Sequence, residues 1–484
     1  MRKHFEIQLN LNQTPIEKVY IPEKSRDELP PVLAALQWIF ITPEVNEQIF
    51  ALLEERVCGD KKKTGRPGMD LWHILVLGVV RLALDCDYDR LEYLVHYDGL
   101  LREIMGLDKI FSGEFGAGFH QKTISENVCH VDEELLNQIN EIVVKAGRPL
   151  FKKKADEKIE VKADTYVLES NVHFPTDLNL LWDSSRKCIR LLQVLSETYD
   201  IEGWRKWRDW ERKIKGQMRI CSRIQHGGGT NKAERLEKEA ESYLAMVYDL
   251  EAKVHESIEK LKDKVLKVID FVTLLQVEYF HEMLIKHIDL IDRRLLKGEK
   301  IPHEEKVFSL YEPHTEWINK GKAHPSVELG HKVLVATDQY GLILDYKVMD
   351  QPVDNKETLP LADRLFKRYG EGSIESISFD KGFSVEEDRR LLELYIPNVI
   401  MPKRGRLSQA DRDRESHKKF KILRCKHSAV ESNINGLEHH GLNRCPDKGL
   451  SGFQRYTGFG VLAYNLHKIG NRLLEKRRKL KKAA

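Results

Sequence analysis

The spacing of apolar positions changes several times along the chain, and each change marks a new element. From Pro31 to about Val57 the recurrence of Leu33, Leu36, Ile39 and Phe40 is helical. A basic, Gly/Pro-rich break follows at 61–68. The apolar run Leu71–Leu84, interrupted by His73 and Arg81, predicts a buried helix capped by Asp70 and too short to span a bilayer. Shorter helices continue to about Gly147. Residues 158–169 instead alternate as a strand does. After a turn at Pro175, Thr176 and Asp177 the helical period returns. Leu236, Ala240, Tyr243, Val247, Leu250, Val254, Ile258, Leu261 and Val265 predict a long amphipathic helix over 232–268, preceded by a hinge at Gly227, Gly228 and Gly229. Strand character resumes near Glu328. Gly330–Thr337 and Leu342–Met349 read as a hairpin turning at Gly341, and Ile374–Phe379 and Ile396–Met401 as further strands. Helices are predicted at Lys356–Tyr369, Val385–Leu394, around Glu431 and through Leu462–Leu480. If the long helical block is an insertion, the remainder is a mixed α/β sheet with helices packed on it.

Composition narrows the class. Of 484 residues, 41% are apolar and 32% charged, too apolar for a disordered chain and too charged for a polytopic membrane protein. Seven cysteines, an odd number without a CxxC pair, favour free thiols in a reducing cytosol. The N-terminus lacks the apolar core of a secretory signal, so a cytoplasmic protein without a membrane partner is expected. The formal charge is only +3, yet it is unevenly spread. Residues 402–484 hold 21 Lys+Arg against 7 Asp+Glu, a local +14 that leaves −11 for the rest. Two clusters dominate, at 403–426 and 471–482.

Three carboxylates stand out by placement. Asp164 sits inside a strand, where propensity disfavours it. Asp380 closes the strand Ile374–Phe379 before Lys381 and Gly382, at the kind of sheet edge where α/β proteins put ligands. Glu431 opens a helix whose apolar positions are Val430, Ile434, Leu437 and Gly441, leaving Glu431, Asn435 and Glu438 on a neighbouring face. Converging carboxylates without a paired His or Cys suit hard cations such as Mg²⁺ or Mn²⁺. The plainer reading is that any three of 76 acids can be chosen at strand ends.

Around these residues the sequence resembles insertion-sequence transposases of the DDE superfamily, closest to the unclassified bacterial group often called ISNCY. The resemblance rests on the segments 163–177, 317–322 leading into 328–332, 379–383, 427–444 and 460–466, and spans about residue 30 to residue 470. It implies an RNase H-like catalytic core with Asp164, Asp380 and Glu431 as the catalytic and metal-binding triad for two Mg²⁺ ions, with Mn²⁺ able to substitute. The activity implied is cleavage of DNA at the ends of an insertion sequence and transfer of those ends to a target. Transposon-end DNA, target DNA and a homodimer or larger assembly are the implied partners. The organisation expected is an N-terminal helical DNA-binding region (1–150), the first part of the core (151–182), a helical insertion (183–325), the rest of the core (326–470) and a basic tail (471–484). One departure matters. Many relatives carry Tyr-x2-Arg-x3-Glu-x6-Lys around the Glu, whereas here the spacing reads Arg424, His427, Glu431 and Glu438. Only the Glu matches.

The basic cluster immediately before Glu431 predicts phosphate contacts from Lys403, Arg404, Arg406, Lys418, Lys419, Lys421, Arg424 and His427. A solvated basic end is the bland alternative. Residues 121–131 resemble one limb of a helix-turn-helix, or equally a capped surface helix. Cys425, His427, His439, His440 and Cys445 match no common zinc spacing and read by default as solvent- or DNA-facing. His173 and Asp177 are candidates to orient Asp164, Asp183 approaches only if the chain doubles back, and Asp350 and Asp354 read as turn residues. Trp204, Trp207 and Trp210 read as helix packing before base stacking. Two competing classes remain: a catalytically silent DNA-binding or assembly protein, and a nuclease of the same fold that cuts without joining.

Overall fold

The computed structural model describes residues 2–5, 13–59, 68–109, 118–154, 156–319 and 326–483. The basic break at 61–68, apart from Gly68, and residues 320–322 of the 317–322 segment lie outside the described residues. In chain order the main elements begin with α1 (Leu29–Ile41), α2 (Pro43–Leu53), α3 (Leu71–Ala83), α4 (Tyr88–Tyr97), α5 (Gly99–Ile104), α6 (Gln121–Val128), α7 (Glu133–Gly147) and β1 (Ile159–Ser170). Then come α8 (Asp177–Tyr199), α9 (Trp207–His226), α10 (Lys232–Lys262), α11 (Val268–Ile291), β2 (Glu316–Asn319), β3 (Val327–Thr337), β4 (Ile343–Val348) and α12 (Thr358–Tyr369). The chain closes with β5 (Ile374–Phe379), α13 (Glu386–Glu393), β6 (Asn398–Ile400), α14 (Gln409–Ser416), α15 (Lys418–His427), α16 (Ala429–Leu437), β7 (Arg444–Cys445) and α17 (Gly449–Ala483). Among the described residues no helix is long and apolar enough to cross a membrane.

The chain divides into two units, Met1–Asn171 with Ile318–Ala484, and Val172–Trp317. The first holds a seven-stranded mixed sheet. β1 lies at its centre, antiparallel to β3 and parallel to β5. β3 pairs antiparallel with β4, β5 parallel with β6, and β7 adds two residues beside the end of β1. Consecutive residues of β1 are buried, so both of its faces are covered and its alternation is muted. The β3–β4 hairpin turns where expected. Gly341 takes a φ of +75°, and the Asp338 carboxylate accepts from the amides of Tyr340 (2.9 Å) and Leu342 (3.0 Å).

Several boundaries differ from the sequence expectation. The 31–57 stretch is two helices, because Pro43 cannot supply an amide to continue α1 and instead starts α2. Asp70 occupies the position before α3 but makes no side-chain capping bond. The long helix ends at Lys262, and Val265 lies in the loop before α11. The helical unit begins at Val172 rather than 183 and ends at Trp317 rather than 325.

The N-terminal helices are not a unit of their own. They share one apolar core with the sheet, and α17 runs through it with Phe453, Phe459, Leu462, Leu466 and Ile469 buried. Gly78 on α3 lies flat against the Phe459 ring, where a Cβ would stand 2.3 Å from it, so helix packing here requires the missing side chain. Asn465 on α17 pins the layers together. Its Oδ1 accepts from the Ile343 amide (2.9 Å), and its Nδ2 donates to Asn140 Oδ1 (2.7 Å) and to the Ile343 carbonyl (3.0 Å). Buried Arg81 donates to both oxygens of Asp447 (2.6 and 3.0 Å), tying α3 to the turn before α17. Residues 471–482, expected as a tail, continue α17: Leu474 is buried and Arg472 donates to the Leu150 carbonyl. The segment 121–131 ends as a helix at Val128, with Ile124 and Val128 buried.

The second unit packs α8–α11 around its own core, including Leu181, Trp204, Tyr243, Val247, Val277 and Leu284. Trp204 is buried and donates from its indole to Ser257 Oγ (2.9 Å), while Trp207 and Trp210 lie partly buried against the same core.

Candidate active site

The parallel pairing of β1 and β5 runs in register to Ala163 opposite Phe379. Asp164 and Asp380 each follow these paired residues, Asp164 within β1 and Asp380 just past the end of β5, which makes the two acids neighbours. Asp164 is held mid-strand because β1 extends beyond the end of β5, and its Oδ1 accepts from the Thr165 amide (2.7 Å). Asp380 is exposed where β5 ends. The chain turns there because Phe383 folds back into the core against Phe379 (ring centroids 5.2 Å). Glu431 lies in the first turn of α16, exposed, with Val430 and Leu437 buried beneath. The stripe that seats α16 also includes Asn433, which donates to Thr337 Oγ1 (3.2 Å) and accepts from the Tyr464 hydroxyl (2.9 Å).

The three acids form one electrostatic site. Burial pushes the Asp164 carboxyl up to about 6, and the charges of Asp380, Asp354 and Glu431 push it the same way against the Thr165 amide bond. Asp354 is the acid that sequence reasoning assigned to a turn. It accepts from Lys332 Nζ at 2.8 and 3.0 Å and from Thr165 Oγ1 at 2.9 Å, so it sits against β1 beside Asp164. The signal was Lys332 itself: a lysine within the apolar strand β3 needs a partner, and the spacing of acids does not name it.

His427 is the second residue whose placement differs from the expectation. Phe420, Leu423 and His427 fall at i, i+3 and i+7 of α15, and the first two pack on Ile400 of β6. The same stripe turns His427 inward, with Nδ1 3.0 Å from Ser378 Oγ. Burial lowers its pKa, opposed by the charges of Asp380 and Glu431, and its Nε2 is buried without a partner. It therefore stands beside the acids rather than on the outer basic face.

The remaining basic residues divide by what holds them. Lys403 pairs with Asp411 (2.7 Å), Lys419 with Glu375 (3.6 Å) and Arg424 with Glu415 (3.4 Å). Arg404, Arg406, Lys418 and Lys421 are exposed, the last two opposite the Phe420–Leu423 stripe.

Other candidates are not gathered here. Asp177 pairs with Arg294 (2.7 Å), and buried Asp183 pairs with Arg186 (3.0 Å) and faces His173 (3.3 Å), all within the helical unit. Asp350 is exposed near Lys347. Of the His/Cys cluster, His440 is buried against the Ala83 carbonyl (3.0 Å), contrary to the solvent-facing default, and Cys445 is buried as well. Among the described residues no group of three or more His, Cys, Asp or Glu side chains is arranged to hold a metal ion. Comparison with known family models, curated proteins and solved structures gives no match to any of them.

Proposed function

We propose that the chain is a DDE-type transposase with an RNase H-like core, acting on phosphodiester bonds at the ends of an insertion sequence. The observation that carries this reading is the placement of Asp164 and Asp380 immediately after paired residues of neighbouring parallel strands, with Glu431 bearing electrostatically on Asp164. The mixed sheet supports this reading: β1 lies between antiparallel β3 and parallel β5, β5 continues to β6, and both β2 and β4 pair with β3.

The donor chemistry suits Mg²⁺ or Mn²⁺: hard oxygen ligands, with burial first and the neighbouring acids next raising the Asp164 carboxyl. Asp164, Asp380 and Glu431 would hold these cations, which when bound supply Lewis-acid stabilisation of the phosphate oxygens. The side chains stand apart from a closed coordination set, and Asp164 is engaged by the Thr165 amide. Arg404, Arg406, Lys418 and Lys421 provide free charge for the DNA backbone. His427, buried beside the acids with Nε2 unpartnered, acts from inside the site rather than gripping DNA from outside.

The test uses a supercoiled plasmid carrying the DNA on either side of the reading frame, incubated with the protein and Mg²⁺ or Mn²⁺. Nicking and joining should appear with the native chain. They should fall at least ~10³-fold in Asp164→Asn, Asp380→Asn and Glu431→Gln while DNA binding persists. Equal cleavage by these variants refutes the triad. Cleavage without joining identifies a nuclease, and binding without either identifies a silent assembly protein.

A further inference from the structure

A cavity of about 540 Å³ lies against β4, with β3 between that strand and Asp164 on β1. Residues of α7 and α12 line it, together with Gln454 of α17. Its volume falls within the roughly 300–1,000 Å³ of small-molecule sites. The bases in its lining are all engaged. Arg364 and Arg368 both donate to the buried Asp345 carboxylate (2.8 and 2.5 Å), and Lys347 donates to Glu357 (2.7 Å).

Its oxygens are not. Asn137 Oδ1 and the Tyr346 hydroxyl are buried, and neither has a hydrogen-bond partner among the described residues. Tyr346 is only 1% exposed, and its hydroxyl lies beside Gly458, one turn along α17 from Gln454. A buried polar group left unpaired costs stability, and two of them lining one cavity call for a ligand. Glu133 and Asn137 stand at i and i+4 on α7 and so share a face, and Glu133 is the first charge to act on the Tyr346 hydroxyl. Burial raises the Glu133 carboxyl above its ordinary value, opposed first by the Val348 amide that donates to it; Asp350 then adds more to the rise than Lys347 removes.

We propose that this cavity binds a linear polyamine, one primary ammonium of which is held by the Glu133 carboxylate, Asn137 Oδ1 and the Tyr346 hydroxyl. The site does not rest on the proposed chemistry of Asp164 and Asp380. A primary ammonium carries three N–H donors and no acceptor, which matches one carboxylate and two orphan oxygens. A metal ion fits less well, since among the described residues no three His, Cys, Asp or Glu side chains are arranged to hold one. Two further acids line the same cavity and are exposed: Asp350, and Glu134, which also pairs with Arg56. They favour a second ammonium over a neutral tail.

The experiment is isothermal titration calorimetry of the full chain with spermidine, without DNA or divalent cations, in roughly 0.15 M salt to screen diffuse attraction. One saturable site per chain is expected, with n-butylamine bound at least ~10-fold more weakly for want of a second charge. Glu133→Gln should weaken spermidine binding about 30-fold or more. Tyr346→Phe should weaken it about 10-fold, through loss of a hydrogen bond to a charged group. The phenyl ring still fills its place and the lost hydroxyl had no partner, so the Tm of Tyr346→Phe should not fall. Glu237→Gln, at an exposed acid of α10, should bind as the native chain does. Absence of saturation by about 10 mM spermidine overturns the proposal. So does native affinity in Glu133→Gln or Tyr346→Phe, an equal loss in Glu237→Gln, or butylamine binding as tight as that of spermidine.

Discussion

Substituting Asn for Asp164 should make the protein more stable, although it removes the central acid of the site. An aspartate in an unfolded chain titrates near 3.9, and burial beside three other carboxylates raises Asp164 to about 6. The sign follows from linkage. A carboxyl whose folded pKa is raised binds its proton more tightly in the folded state, so ionising it costs stability as pH rises. The cost is absent near pH 3, about 1.5 kcal/mol at pH 5, and complete above pH 7 at about 3 kcal/mol. Partial solvent access reduces the upper value to about 2–3 kcal/mol. Asn keeps an oxygen to accept from the Thr165 amide, so the substitution removes charge and little else. For a unit of this size, Tm should rise by about 3–6 °C at pH 7.5, by about half that at pH 5, and hardly at all near pH 3. Differential scanning calorimetry without divalent cations reads this directly. Added Mn²⁺ should raise the Tm of the native chain and leave Asp164→Asn where it was. A variant that melts at or below the native Tm at pH 7.5, or an increment independent of pH, would refute the account of a buried carboxyl whose pKa is raised in the folded chain.

Three further outcomes follow from the same geometry. Lys332→Met leaves Asp354 partly buried without its cation and should cost about 2–4 kcal/mol at pH 8 in urea unfolding; adding Asp354→Asn should recover most of it, and a loss equal in both variants would argue against the pair. Asn465→Ala strips the Ile343 amide and the Asn140 side-chain oxygen of their partner, while the Ile343 carbonyl keeps the Asn140 amide, and should lower unfolding free energy by about 2–4 kcal/mol, with hydrogen exchange at Ile343 rising first. Replacing Arg404, Arg406, Lys418 and Lys421 with Gln should weaken DNA binding and reduce the salt slope of log K by up to about 4, whereas Lys403→Gln should change it less, because Asp411 already engages that lysine.

Much of the larger unit was legible in the chain's periodicity. β5 begins and ends where its alternation does, and Gly341 marks the hairpin because few other residues tolerate its φ. Asp164, Asp380 and Glu431 were readable as anomalies of placement: an acid inside a strand, one closing a strand, and one above an apolar stripe. The stripe of α15 was equally present in the sequence. Phe420, Leu423 and His427 share a face, and that spacing alone distinguishes an inward His from a phosphate contact. Charge summed by segment does not carry this distinction, since a basic cluster says nothing of which member faces in.

Local pattern by itself determined where strands and helices lie and which acids violate their surroundings, because propensity and periodicity act over a few residues. Only the tertiary structure decided which acids meet. Asp354 reaches Asp164 through a cross-strand lysine more than a hundred residues from β1, and no spacing rule spans that distance. It also decided that the N-terminal helices belong to the sheet's own core, since α17 returns from the far end of the chain to pack between them. The apolar residues beginning α11 look alike in sequence, and only folding separates the face that fills a core from the face that remains exposed.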